Sequence, residues 1–540
     1  MMKSFDKPFQ IQETMERIPR IRYRLVLEGA LIGAVTGGVV SVFRLALQTA
    51  ESLRGSALAL AAGDSSQALW MLIILAVLCA VTYWILRVEP MVSGSGIPQV
   101  KGELIGRIFM NWWRVLLAKI CGGICCIGAG LSLGREGPSI QIGAMVGKGA
   151  ARITNRLATE EKLMITCGAG AGLAGAFSAP LAGVVFTLEE LHKNFSTDIL
   201  LATMASCISS DFVAYYIFGL TPVFNLRIAH VLPLRFYWLL VLFGVMMGLF
   251  GLVYNRFTEL LQNLFSRIPH KSIRILIPFL LVIPLAVLEP EALGSGHALV
   301  HMTADGEFLV RALVILLIVK FLFSIISFAS GAPGGIFLPL LVIGGVSGGL
   351  FLETIGIKGG LTEAYLVNFV TYGMVGYFAA IVRSPVTGVI LITEMAGDFG
   401  NFLSLSVVAF AAYVTADLLG GQPIYDQLLE RMLSGTSAFG MTKKLKKQKV
   451  LLESDVYVGS IMDGGRISRM HLPAGCLVIS VIRGMEELVP NGETVLHGGD
   501  TITILCNEGD MERVNNRLDR ICRKVILDEN EGGNINVDHS

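Results

Sequence analysis

The sequence predicts an all-α polytopic membrane protein of two homologous repeats, the second expected to be inverted, with a small soluble α+β domain at its C-terminus. Three observations carry this prediction. Long uncharged runs fill the first four-fifths of the chain, a set of landmark residues recurs about 200 positions later, and alternation of apolar and polar residues sets in after Leu452.

Of 540 residues, 53% are hydrophobic and 16% charged, against about a quarter charged in soluble globular chains. The segments 65–86, 163–188, 236–255, 321–352, 364–382 and 399–416 contain no Asp, Glu, Lys or Arg. Several reach the ~20 residues a spanning helix needs. Others, such as 137–147, 275–288 and 384–393, are too short, and Gly or Pro interrupts many of them. Half-helices that end inside the membrane are therefore expected.

Charge informs by position. With 43 basic against 42 acidic residues, the formal charge of +1 gives no field to hold nucleic acid, which is excluded as a partner. The N-terminal residues 1–24 carry Lys3, Lys7, Arg17, Arg20, Arg22 and Arg24 and lack the apolar core of a signal peptide, so they read as a cytoplasmic amphipathic helix. Lys443, Lys444, Lys446, Lys447 and Lys449 follow the last apolar segment and place the 441–452 linker in the cytoplasm as well. The nine cysteines are an odd number; Cys79, Cys121, Cys125, Cys126, Cys167 and Cys207 lie in the apolar body without Cys-x-x-Cys spacing, so neither disulfides nor zinc is indicated.

The repeats set the architecture. Gly94-Ser95-Gly96 reappears as Gly294-Ser295-Gly296, and Lys119, Gly130, Gly134, Pro138, Gly143 and Gly147 each meet the same residue 201 positions on, from Lys320 to Gly348. Pro180, Gly183 and Glu189 match Pro385, Gly388 and Glu394 at an offset of 205. Repeat 1 is assigned to 25–225 and repeat 2 to 226–440; an odd number of segments in each half would invert the second.

Beyond the linker, Cys476–Arg483 and Thr501–Cys506 alternate as strands, Pro490-Asn491-Gly492 marks a turn, and Met511–Arg523 reads as a closing helix. Residues 453–526 form the expected soluble domain, and the polar 527–540 tail is expected to be disordered.

Three stretches in the membrane body join glycines to a proline that can start a helix: Gly94-Ser-Gly-Ile-Pro98, Gly134-Arg-Glu-Gly-Pro138 and Gly334-Gly-Ile-Phe-Leu-Pro339. Each helix start offers unpaired N–H groups and a positive dipole end, and glycine lets those groups approach a bound ion. Converging starts would hold a monovalent anion yet release it, where a buried lysine would trap it. The bland alternative is that such stretches only break helices between packed spans. Glu136 lies between uncharged runs, so its carboxylate is expected inside the body, able to compete with an anion when ionised and to withdraw when protonated. An ion pair with Arg135 is the competing reading. Glu189 and Glu190 close another run, and Glu189 reads as a helix end at the cytoplasmic surface.

Gly130-Leu-Ser-Leu-Gly134 matches a nucleophile elbow and Gly170-Ala-Gly-Leu-Ala-Gly175 a dinucleotide fingerprint, but neither follows a strand of an α/β unit. Close packing between membrane helices explains both. No enzyme chemistry and no cofactor are expected.

These residues resemble the signatures of the CLC family of chloride channels and chloride/proton exchangers, over about residues 25–430. The resemblance implies that Ser95, flanked by Gly94 and Gly96, the amides of Ile336 and Phe337, and Tyr425 in Gly420-Gly-Gln-Pro-Ile-Tyr425 hold a central chloride. It makes Glu136 a gating glutamate, supported by Gly134, Arg135, Gly137 and Pro138, and Glu190 the inner proton relay that passive channels generally lack. A homodimer with one pathway per subunit, in a bacterial plasma membrane, is also implied. Gln99 stands where glutamate is common. Residues 456–523 resemble the C-terminal subdomain of the ligand-sensing domains of potassium transporters, of TrkA C-terminal type, which implies an unidentified small ligand. A passive channel of the same architecture, and a sensor that has lost transport, remain alternatives.

Overall fold

The computed structural model describes residues 11–61, 65–193, 197–220, 222–224, 226, 228, 230–435, 449–472, 476–484, 486–507 and 511–523. Most of the linker and the C-terminal tail thus lie outside the described residues. The chain forms two compact units, Met1–Glu430 and Arg431–Ser540.

Among its described residues, the regular elements of the first unit are helices. Its first half contains α1 (Ile11–Ala61), α2 (Ser65–Val88), α3 (Ile97–Leu104), α4 (Trp112–Gly128), α5 (Glu136–Ile153), α6 (Ala158–Phe177), α7 (Pro180–Phe186) and α8 (Thr197–Phe218). The second half repeats that order as α9 (Tyr237–Arg267), α10 (Lys271–Leu288), α11 (His297–Ala304), α12 (Val310–Ala329), α13 (Phe337–Phe351), α14 (Leu366–Val382), α15 (Pro385–Ala396) and α16 (Phe402–Leu418), followed by α17 (Ile424–Gly435). Among the described residues, eight helices are long and apolar enough to cross a membrane. The short runs 137–147 and 384–393 lie in α5 and α15, whereas 275–288, expected to be too short to span, lies in α10, which at 18 residues is long and apolar enough to cross; the shortest helices of the body are α3, α7 and α11.

Burial separates the layers. α13 and α14 are buried along nearly all of their length, whereas α2 exposes Trp70, Ile74, Val77 and Trp84 and α12 exposes Ile315 and Ile318. Apolar side chains on the outside suit hydrocarbon, not water. Close packing inside uses glycine: a Cβ on Gly172 would stand 2.1 Å from the Ser139 carbonyl oxygen, so the apparent dinucleotide fingerprint is a helix-packing face of α6 on α5.

The two halves meet on a local twofold. The Gly134 amide donates to the Gly335 carbonyl (2.6 Å) and the Gly335 amide to the Gly134 carbonyl (2.8 Å), an isolated antiparallel bridge. This exchange maps onto itself when the halves are interchanged, and the strands run past each other in opposite directions, as inverted repeats require. Buried lysines repeat the relation. Lys119 Nζ donates to the carbonyls of Val92 (3.0 Å) and Gly94 (2.7 Å), and Lys320 Nζ to those of Ala292 (2.9 Å) and Gly294 (2.8 Å). The symmetry is not chemical identity: the Ser295 hydroxyl bonds Glu51 Oε1 at 3.2 Å, a partner that Ser95 lacks.

The second unit carries an antiparallel sheet in the order β1-β4-β2-β3, with β1 Lys449–Asp455, β2 Leu477–Arg483, β3 Glu486–Leu488 and β4 Thr501–Asn507. Helix α18 (Met511–Leu518) supplies Val514 and Leu518 to a core with Val478, Val481, Ile502 and Ile504. β1 begins inside the stretch read as linker, because consecutive residues from Lys449 pair with β4 in unbroken register from Lys449↔Asn507 to Asp455↔Thr501.

Candidate anion and proton site

Three helix starts, none closed by a side-chain cap, face one another through tightly held loops. The loop into α3 turns on Gly94 (φ 66°) and Gly96 (φ 98°), a left-handed conformation that costs glycine little. It is stitched to the loop before α13 by Gly334 N to Gly94 O (3.1 Å), and Lys119 holds it from behind. Gln99 donates Nε2 to the Ser93 carbonyl at 2.6 Å, so the unusual glutamine supports this loop and touches no proposed ligand.

Convergence is read from what a side chain would meet. A Cβ on Gly137 would lie 2.4 Å from Ser95 Oγ and 3.3 Å from Gly335 Cα; one on Gly134 would lie 2.3 Å from Glu136 Oε2 and 3.0 Å from the Leu338 amide nitrogen. Ser95, Glu136, Gly137 and the start of α13 at Ile336 and Phe337 are therefore within a few bond lengths of one another. The Phe337 ring is fixed between Phe177 and Phe378, with centroids 5.5 and 4.8 Å away. Tyr425, fully buried at the start of α17, lies in electrostatic range of both Glu136 and Glu190.

The polar atoms of this cluster lack protein partners. Ser95 Oγ, Tyr425 Oη and both carboxylate oxygens of Glu136 are buried and make no hydrogen bond within the protein. Arg135 Nε stands 3.8 Å from Glu136 Oε1, an ion-pair distance but no hydrogen bond. Buried polar groups are normally satisfied, so four orphan oxygens on three neighbouring side chains point to a bound ion or a moving proton.

Glu190 differs. Its Oε1 accepts from Lys101 Nζ (2.9 Å) and its Oε2 from Ser384 Oγ (3.1 Å). Lys101 also bonds Asp426 Oδ1, and Lys193 Nζ reaches Asp426 Oδ2 at 2.6 Å. Sequence reading missed Lys101, Lys193, Ser384 and Asp426, because the partners come together only in the fold. Phe186 hands α7 over to a π turn, Thr187–His192, which carries both glutamates, a distortion frequent at functional sites.

Glu189 is not merely a helix end at a surface. Its Oε2 accepts from the Thr387 amide (2.7 Å) and hydroxyl (2.6 Å) and its Oε1 from the Val386 amide (3.3 Å), closing the N-terminus of α15. Glu394 does the same for α7, accepting from the amides of Leu181 (3.0 Å) and Ala182 (2.8 Å). Each half caps a helix of the other, since helix starts leave N–H groups without intrahelical partners.

The chain matches known proteins in both units. Residues 77–417 match the model of the voltage gated chloride channel family, and residues 451–519 that of the TrkA-C domain. A relative described as the H(+)/Cl(-) exchange transporter ClcA of Salmonella paratyphi B is 33% identical over 440 residues, covering 79% of this chain and 93% of its own. That of Vibrio parahaemolyticus is 34% identical over 430 residues, covering 76% and 90%. The crystal structure of a slow cyanobacterial Cl-/H+ antiporter superposes with a TM-score of 0.73 at 28% identity, over 77% of this chain and 99% of that one. A fluoride/proton antiporter of this type shares the fold, with a TM-score of 0.63 at 21% identity over 75% of this chain and 97% of its own.

Proposed function

The chain belongs to the voltage gated chloride channel family, and we propose that it exchanges chloride for protons across the membrane. Ser95, the amides of Ile336 and Phe337, and Tyr425 hold the anion, Glu136 is the gate, and Glu190 is the inner proton relay. The observation that carries this reading is the group of orphan oxygens on Ser95, Tyr425 and Glu136 at uncapped helix starts. Hydroxyls and amides donate to chloride without a full opposing charge, so the ion is bound and released.

Glu136 stands beside the start of α13, where its carboxylate, when ionised, competes with an anion. Protonation removes its charge and lets chloride take its place. Gly134, Arg135, Gly137 and Pro138 keep the approach narrow, and a side chain on Gly137 would collide with Ser95 Oγ. Glu190, held by Lys101 and Ser384, supports exchange over passive conduction, because a pore that moves only chloride has no use for a second buried acid.

The working assembly is a homodimer in a bacterial plasma membrane with both termini in the cytoplasm, and the TrkA-C unit senses a small ligand. Proteoliposome flux with simultaneous chloride and proton recording tests the mechanism. Glu136→Gln is expected to pass chloride and stop protons; Glu190→Gln is expected to stop protons while external pH still modulates chloride through Glu136. Uphill proton movement by the Glu190→Gln protein would sink the inner half of the mechanism.

A further inference from the structure

We propose that Asp426 is the carboxylate through which protons pass between solution and Glu190, with Lys101 as the bridge between the two. The inference rests on Glu190 being the inner relay and adds the path by which that buried acid is reached.

The four charged groups form one chain graded by exposure. Side-chain exposure falls from 52% at Lys193 and 28% at Asp426 to 8% at Lys101 and 2% at Glu190. Among the described residues, Lys101 Nζ alone bonds both carboxylates, Glu190 Oε1 at 2.9 Å and Asp426 Oδ1. The groups facing Glu190 come from three elements: Lys101 from α3, Asp426 from α17, and Lys193 from the end of the π turn, with the Ser384 hydroxyl closing the fourth side. His192, beside them on that turn, is engaged with Thr166 Oγ1 at 2.6 Å. A lysine shared between a solvent-touching acid and a buried one supplies a connected route.

The step balances. Nζ gives a proton to Glu190 Oε1 and becomes a neutral amine with a free lone pair. Asp426, protonated from solution, returns a proton to that lone pair. Lys101 ends as it began, an ammonium, Asp426 is again a carboxylate, and Glu190 has gained one proton.

Arginine separates this role from a structural one. Lys101→Arg keeps the positive charge and both acceptors within reach, but a guanidinium does not release its proton in proteins. Full-length wild type, Glu190→Gln, Asp426→Asn, Asp426→Glu and Lys101→Arg are reconstituted, and chloride and proton fluxes are recorded together against the pH of the Asp426 side. Asp426→Asn and Lys101→Arg are expected to lower proton flux at least tenfold while chloride flux persists, and Asp426→Glu to restore the proton flux and its pH profile. Wild-type proton flux in Asp426→Asn or Lys101→Arg, with Glu190→Gln inactive for protons, overturns this route and leaves the relay reading standing. Loss of chloride flux together with proton flux in Asp426→Asn makes the residue structural and also overturns it. Proton transport by Glu190→Gln removes the relay reading itself.

Discussion

Removing the Ser95 and Tyr425 hydroxyls asks whether the orphan oxygens are anion ligands. Neither makes a hydrogen bond within the protein, so Ser95→Ala and Tyr425→Phe strand no partner, and the chloride-free fold keeps its stability. The whole cost falls on the anion-bound state. A hydrogen bond to a charged group contributes about 1.5–3 kcal/mol, and about 1.4 kcal/mol is a tenfold change in affinity. Each substitution is therefore expected to weaken chloride binding by at least roughly tenfold, and the pair by at least roughly a hundredfold if the two act independently. At a chloride concentration about 100 times Kd, binding stabilises the protein by about 2.7 kcal/mol; at the hundredfold weaker Kd the same chloride gives about 0.4 kcal/mol. Chloride titration by calorimetry, paired with thermal unfolding in detergent with and without chloride, measures both quantities. Chloride affinity within twofold of wild type in the double variant would refute the assignment, and equal destabilisation without chloride would show that the hydroxyls serve the fold instead.

Other outcomes follow from the same structure. Glu394→Ala, which uncaps α7, is expected to lower stability in detergent by about 1–2 kcal/mol, and Glu394→Gln to recover part of that; denaturant unfolding reads both. In the C-terminal unit, Arg483 donates Nε and Nη2 to the two Asp500 oxygens at 2.9 and 2.7 Å and holds that carboxyl below the usual aspartate range. Stability from this pair is complete above the ordinary aspartate pKa and disappears as pH falls through the lowered folded value, so acid unfolding followed by circular dichroism should lose that component in Asp500→Asn. A chain ending at residue 448, before β1, is expected to insert, dimerise and transport, as judged by chloride flux and size-exclusion chromatography.

The body of the fold was legible because duplication writes the same constraint twice. The offset of 201 makes Gly134 and Gly335 equivalents in the two repeats, and the structure joins those two residues by a mutual bridge. The uncharged runs marked α2, α9, α14 and α16 and the glycine-proline stretches the three helix starts, whereas α1 and α8 were not marked, because Arg44 and Asp211 stand inside their spans. The inner network was not legible. Lys101 and Asp426 stand 325 positions apart, and nothing local to either marks a partner. The capping role of Glu189 was missed for a different reason: the groups that donate to it are mainly backbone amides, which carry no sequence signal at all. A clue existed in the spacing, since Pro180 precedes Glu189 and Pro385 precedes Glu394 by nine residues alike, and such a matched pair suits reciprocal capping.

The twofold through Gly134 and Gly335 also marks what a single fused chain permits and a dimer of separate half-chains does not. Two identical halves would present the same side chains from both directions, and the passage between them would read alike from either face. Here the counterpart of Glu136, 201 positions on, is Phe337, and the serine matching Ser95 is already engaged by Glu51. One copy thus carries the titratable group and the other an aromatic ring, on backbones that follow the same order of elements. Fusion has freed each half to mutate alone, and a skeleton without handedness along its axis has acquired a front and a back.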